Sequence, residues 1–193
     1  MQKKIKTITS LKKDDTLFFK QIEWGMGLEN NTLYLSWDLD LDDLQTFIVK
    51  VECLLERNGK NKDINLVIMS NGGDAYAMLG MIDYFKALPI NVNTHCVGMA
   101  MSAAAVILAC GTGKRTITKY STVMLHEGSS FGMGKRSDVI TGAEHLKKLG
   151  DNVNEILGSV TKKDKKYWEK TLKTDTYLTA DDALKLGLVD EVV

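Results

Sequence analysis

The sequence predicts an α/β fold, and three of its features do so. Apolar runs of strand character, such as Ile64-Asn65-Leu66-Val67-Ile68-Met69, alternate with segments of helical spacing such as Asp42 to Glu56; strands that alternate with helices build sheets through crossover connections. Glycines stand where the runs end, at Gly72-Gly73, Gly98 and Gly187. A length of 193 residues suits one domain with a substantial core.

The elements follow in chain order. Residues 1–30 carry a charge run, Lys12-Lys13-Asp14-Asp15, and two glycines, Gly25 and Gly27, and show no clear period. Leu33 to Trp37 reads as a short strand. Asp42 to Glu56 places Leu44, Phe47, Ile48, Val51 and Leu55 on one helical face, and Asn58-Gly59 ends it. Ile64 to Met69 is a strand that runs into Ser70-Asn71-Gly72-Gly73. Ala75 to Leu88 reads as a helix stopped by Pro89, because the residue before a proline is pushed out of the helical region. Asn91 to Val97 is the next strand, and Met101 to Cys110 a small-residue apolar helix. Thr116 to Leu125 reads as one strand, followed by a glycine-rich loop or flap from Gly128 to Gly134. Ser137 to Val160 is a long helix with Val139, Ala143, Leu146, Leu149, Val153, Ile156 and Leu157 expected inward. Lys162 to Lys166 is a short basic run expected to be a solvated helix face. Thr179 and Asp182 form a capping pattern for a last helix that Gly187 closes, and Val189 to Val193 is a final strand.

Composition excludes several classes. The 25 basic and 25 acidic residues cancel, which argues against a nucleic-acid binder, since such proteins neutralise many phosphates. The longest apolar stretch, Cys96 to Cys110, is interrupted by Ser102 and is shorter than the roughly 18–20 residues needed to cross a bilayer, so no membrane span is expected. No apolar segment follows the basic N-terminus, so no secretory signal is expected. Cys53, Cys96 and Cys110 show no CxxC spacing; Cys53 and Cys110 lie in apolar runs and read as buried thiols, which suits a reducing, cytoplasmic setting. There is a single proline, Pro89, where a usual frequency of about 5% would give roughly ten.

Three segments could carry chemistry. In Gly98-Met99-Ala100-Met101-Ser102-Ala103 a strand ends and a helix begins, so the Ser102 oxygen would sit where backbone N–H groups favour negative charge. The same segment also reads as a plain buried helix start. Gly72-Gly73 at a strand end could aim N–H groups at a reacting carbonyl, or simply make a turn. Of three histidines, His126 ends a strand, whereas His95 lies mid-strand and His145 on a helix, where satisfied or solvated roles are expected. No spacing of His, Cys and Asp suggests a metal site.

Taken together, Gly98 to Ser102, the Gly113-Lys114-Arg115 turn, Val123-Met124-Leu125-His126, Asp175 to Ala180, and Gly187-Leu188-Val189-Asp190 resemble the proteolytic subunits of Clp proteases (ClpP) in order and separation. The resemblance covers roughly residues 31–193, a ClpP-like serine protease domain, and leaves 1–30 as a divergent N-terminal segment. It implies the ClpP/crotonase-like fold of repeated ββα units, with a projecting handle made from the flap and the long helix. It implies Ser102 as nucleophile, His126 as general base and Asp175 as the carboxylate behind it. It also implies Gly73 and Ala103 as oxyanion-hole donors, and Gly128, Ser129, Ser130 and Phe131 as the strand that binds polypeptide substrate. Asp175 rests on the resemblance alone, because no pattern separates it from the other acidic residues. The family further implies homo-oligomeric heptameric rings stacked as a tetradecamer. A partner AAA+ unfoldase would hydrolyse the ATP; this chain needs no cofactor and has no GxxxxGK[ST] loop.

The sequence also departs from the family pattern. Asn71, Gly128 and the Thr118-Lys119-Tyr120 segment stand where the family usually has prolines, which leaves these turns less constrained. Glu127 adds a carboxylate beside the histidine. Asn65, Val67, Ala87 and Thr116 stand where aromatic residues help line the unfoldase docking pocket, and Lys173-Thr174 replaces an acidic–basic pair that helps join rings. An alternative is therefore a divergent, virus-encoded protease that processes capsid or scaffold, or joins host rings, without the usual unfoldase. A non-catalytic ring subunit and a CoA-thioester enzyme of the crotonase fold are the remaining readings.

Overall fold

The computed structural model describes residues 25–59, 61–129 and 133–193. The charge run at Lys12 to Asp15, and Ser130 and Phe131 of the expected substrate strand, lie outside the described residues.

The chain alternates strands and helices, as the sequence predicts. β1 (Met26–Gly27), β2 (Thr32–Leu39), α1 (Leu41–Asn58), β3 (Ile64–Gly73), α2 (Ala75–Ala87), β4 (Val92–Met101) and α3 (Ala103–Ala109) form the first half. β5 (Arg115–Ile117), β6 (Thr122–Leu125), α4 (Arg136–Val160), α5 (Lys165–Thr171), β7 (Thr176–Thr179), α6 (Ala180–Leu186) and β8 (Glu191–Val192) complete it. Among the described residues the strands make one eight-stranded sheet, in the order β1-β2-β3-β4-β5-β8, with β6 pairing β4 and β7. The central pairs β2–β3 and β3–β4 are parallel, and the β1–β2 and β6–β7 pairs are antiparallel.

Local chemistry explains the helix starts. Asp40 and Asp43 form a reciprocal capping box on α1, Asp74 accepts from the N–H groups of Tyr76 and Ala77 at α2, and the expected Thr179–Asp182 capping box opens α6. Gly187 closes α6 at φ 81°, a left-handed position that suits glycine.

The core lies on one face of the central strands, where buried residues alternate with partly buried or exposed ones along β3 and β4. α3 is buried along its whole length, which explains its small residues: an all-apolar helix with alanines can lie close against β3 and β4. Trp168 of α5 is fully buried, and its indole Nε1–H donates to Thr161 Oγ1 at 2.9 Å. Burial pushes the Cys96 thiol up to about 11 and the Cys110 thiol up to about 12.

Three expectations need correction. Thr116 to Leu125 is not one strand. β5 pairs with Thr94 to Cys96, and β6 with Met99 to Met101, on the same side of β4. Between these pairs the partner lane runs from Ile117 to Thr122 while β4 runs only from Cys96 to Met99, so the surplus residues loop out as a turn. There Thr118 Oγ1 meets Ser121 Oγ at 2.5 Å, and Ser121 Oγ accepts from the N–H of Gly98 at 2.7 Å. Hydrogen bonds thus hold a turn that lacks proline.

Cys53 is exposed, not buried; α1 turns Phe47, Val51 and Leu54 inward, and Cys53 lies off that face. Finally, Val139 and Ala143 are exposed, and Leu157 is the one fully buried residue of α4. The C-terminal part of α4 rests on the core through Val153 and Ile156. Its first turns, from Arg136 to Glu144, are exposed, in line with the expected handle.

Candidate active site

The sheet brings the expected residues to one edge. Ser102 follows the last residue of β4 and precedes α3, with φ 52° and ψ −122°. This is the first central position of a type II′ turn, which glycine usually fills. A side chain held there costs on the order of 1–3 kcal/mol, and the surroundings that enforce it are visible. The Ser102 N–H donates to the carbonyl of Met124 on β6 at 2.8 Å. From the other side, Gly72 approaches so closely that an added Cβ would meet Met101 O at 2.4 Å and Ala103 N at 2.7 Å. The turn is therefore clamped between β6 and the glycine corner that ends β3.

His126 directly follows β6. Its Nε2 lies 2.8 Å from Ser102 Oγ, and its Nδ1 lies 3.8 Å from Asp175 Oδ1. The first distance is a hydrogen bond; the second is an ion-pair approach beyond hydrogen-bond reach. Strand register creates both. Met101 is paired with Met124 in the parallel β4–β6 ladder, and Leu125 with Thr176 in the antiparallel β6–β7 ladder. One step past the Leu125–Thr176 pair, His126 stands opposite Asp175; past the Met101–Met124 pair, Ser102 is one step on and His126 two. Asp175 remains well exposed.

Gly73 ends β3 at φ 147°, where a Cβ would meet Leu39 O at 2.2 Å, so only glycine fits. Ala103 opens α3 beside it. Gly73, Ala103, Gly128 and Ser129 all line one cavity of about 460 Å³ that also takes in Ser102 and His126. α4 supplies a wall of that cavity through Leu146, Leu149 and Val153, and Leu172 contributes from beyond α5.

The family model described as Clp protease matches residues 26–193. This chain belongs to the Clp protease family. The match begins on β1, ahead of the boundary expected at residue 31, and runs to the C-terminus. The α/β sheet with its long helix is the ClpP fold, and the chain is a ClpP-like peptidase by family. Among the described residues of this Clp family member, no group of three or more His, Cys, Asp and Glu could hold a metal ion. No described helix is long and apolar enough to cross a membrane.

Sequence reasoning missed two features of the cavity. Tyr76, at the start of α2, brings its hydroxyl to 2.7 Å from His145 Nε2, with the rings stacked at 17°. His145 is thus exposed yet partnered, and the pair joins α4 to α2 across the cavity rim. Asn154 on α4 also lines the cavity, with Oδ1 buried and unpartnered among the described residues. Neither feature has a local sequence signal, because each depends on how α4 docks.

Proposed function

We propose that this Clp family member is a serine endopeptidase in which Ser102, His126 and Asp175 cleave peptide bonds. The observation that carries the reading is the 2.8 Å contact between Ser102 Oγ and His126 Nε2 at a nucleophile turn with positive φ. His126 takes the serine proton as Oγ attacks the substrate carbonyl, and later returns it to the leaving amine. Asp175 stabilises the imidazolium formed between these steps. The N–H groups of Gly73 and Ala103 bind the oxyanion, where one donor is typically worth about 10²–10³ in rate. An extended substrate runs past Gly128 and Ser129 and pairs through its backbone. The chain assembles into stacked heptameric rings that enclose the sites, and a partner AAA+ unfoldase feeds them at the expense of ATP.

The test is a fluorophosphonate probe. It labels Ser102 in the wild type, and Ser102→Ala and His126→Ala abolish labelling and peptide cleavage. Labelling that survives in both variants removes the reading.

One observation favours a second reading of the partner. The outer face of the sheet, where the family docks its unfoldase, carries a polar ladder: Asn93 Nδ2 donates to Asn65 Oδ1 at 3.1 Å, and His95 Nδ1 lies 2.6 Å from Thr116 Oγ1. Such a face holds an apolar anchor poorly. In this reading the protease is a divergent, virus-encoded form that acts without the usual unfoldase. Robust ATP-dependent degradation of a folded substrate with a standard Clp unfoldase would reject it.

A further inference from the structure

α4 is anchored at its C-terminal end. Leu157 is fully buried, and the carbonyl of Val160 accepts from Arg115 Nη1 at 2.9 Å. His145 stands about 18 Å back along the axis from Leu157, at about 1.5 Å per residue. There the helix makes a second tie. The Tyr76 hydroxyl lies 2.7 Å from His145 Nε2, and the two rings stack with centroids 6.1 Å apart. Tyr76 is itself a fixed post, because its N–H donates to Asp74 Oδ1 at 2.8 Å in the cap of α2. Both side chains are exposed, so neither serves to fill the core. The next residue, Leu146, meets the chain that follows His126: its Cδ1 lies 3.7 Å from where a Cβ on Gly128 would stand. That chain is held as far as Glu127, whose N–H donates to the carbonyl of Leu172 at 2.7 Å. Gly128 brings neither a side chain nor a ring to restrict its own backbone.

We propose that Tyr76 and His145 are positioning residues: their contact seats Leu146 over Gly128 and so holds ready the backbone of Gly128 and Ser129, against which an extended substrate pairs. The inference rests on the peptidase reading above. The route is short. The phenol holds the imidazole, the imidazole fixes that turn of α4, and the adjoining Leu146 side chain covers Gly128. With the contact broken, α4 keeps its anchor at Leu157 and Val160, but Leu146 can lift. Gly128 then regains conformational freedom that substrate binding has to remove. The loss therefore falls on the binding of an extended chain. Ser102 and His126 are set by the β4–β6 ladder, which the contact does not touch, so attack on a small reagent proceeds as before.

The experiment measures kcat and KM on an extended peptide, beside the rate at which a small fluorophosphonate labels Ser102. Tyr76→Phe keeps the ring and removes the hydroxyl; His145→Ala removes the whole partner; His145→Gln retains an acceptor at similar reach. Tyr76→Phe raises KM about threefold, the loss of one exposed hydrogen bond, and His145→Ala raises it at least as much. Both leave kcat and the labelling rate at the wild-type values, and His145→Gln restores KM. Leu146→Ala raises KM by itself, and adding Tyr76→Phe to it has no further effect, because both break one route. Three results overturn the proposal while leaving the peptidase reading standing. They are an unchanged KM in Tyr76→Phe and His145→Ala, a labelling rate that falls in step with peptide cleavage, and a Tyr76→Phe effect that persists in full beside Leu146→Ala. If the wild type cuts no peptide and Ser102 takes no fluorophosphonate, the peptidase reading falls and the positioning role falls with it.

Discussion

Replacing Gly72 by alanine separates two costs that usually arrive together. The first is conformational: Gly72 has φ +89°, where an L side chain is strained by roughly 1–2 kcal/mol. The second is steric. The new Cβ would lie 2.4 Å from Met101 O, so the Ser102 turn must open by 0.6 Å to reach 3.0 Å and by 1.0 Å to reach ordinary contact at 3.4 Å. The atoms it strikes are backbone on either side of Ser102, and they cannot rotate away. Gly59 supplies the control, since it has φ +86° with nothing within 4 Å of an added Cβ. Gly59→Ala therefore carries the conformational cost alone. A misplacement of about 1 Å at a reacting group costs on the order of 10²-fold in rate, or about 2.7 kcal/mol. Gly72→Ala is expected to lower kcat/KM on a short peptide about 10²-fold, and Gly59→Ala to leave it within about threefold. Both variants should lose stability in urea, Gly72→Ala the more. A Gly72→Ala enzyme that cleaves at the wild-type rate would refute the argument that the glycine corner holds the Ser102 turn.

Two further outcomes follow from ionisable groups. Iodoacetamide at pH 8 should modify one thiol of the native protein, the exposed Cys53, because Cys96 and Cys110 are buried with their pKa values raised to about 11 and about 12; mass spectrometry showing rapid modification of either buried cysteine would contradict this. Asp190 accepts from Arg115 through Nε at 3.1 Å and a terminal guanidinium nitrogen at 2.6 Å, which holds its carboxyl below the usual range. A depressed carboxylate stabilises the fold above the unfolded pKa of about 3.9 and loses that contribution as pH falls through the folded value. The stability gap between wild type and Asp190→Asn in urea should therefore be full at pH 5–7 and close below about pH 4; a gap unchanged at pH 3 would rule the pairing out as its source.

The parts of the fold legible in the sequence were those set by local chemistry. The helical spacing of Phe47 and Val51, the stop at Pro89 and the Thr179–Asp182 cap all lie within one or two turns of chain, and each marks the element it should. The break between β5 and β6 was not legible, because the Thr118–Ser121 turn is held by side-chain hydrogen bonds and by Gly98 of a neighbouring strand rather than by glycine or proline of its own. β7 was missed for a related reason: of its four residues only Leu178 is buried, too little to show a period. At the candidate site, Ser102 and His126 stood out as residues at strand ends. Asp175 did not, since its approach to His126 depends on antiparallel pairing of β6 with a segment far along the chain; the family resemblance supplied it. The exposure of Val139 and Ala143 shows the converse. An amphipathic pattern says that a face is apolar, but not that this chain alone covers it.

Because β6 is the common neighbour of β4 and β7, both spacings at the site are set by one four-residue strand. Ser102 reaches His126 through the β4–β6 ladder, and Asp175 reaches it through the β6–β7 ladder, which the Glu127 N–H to Leu172 carbonyl bond extends. The site therefore behaves as a hinge pin rather than as three independent posts. A slip of β6 by one residue would turn His126 to the opposite face of the sheet and break both contacts together. Partial loss of alignment is not a stable option for such an arrangement, so a population of molecules losing activity would do so by an increasing fraction of wholly inactive sites, each intact site keeping its full rate.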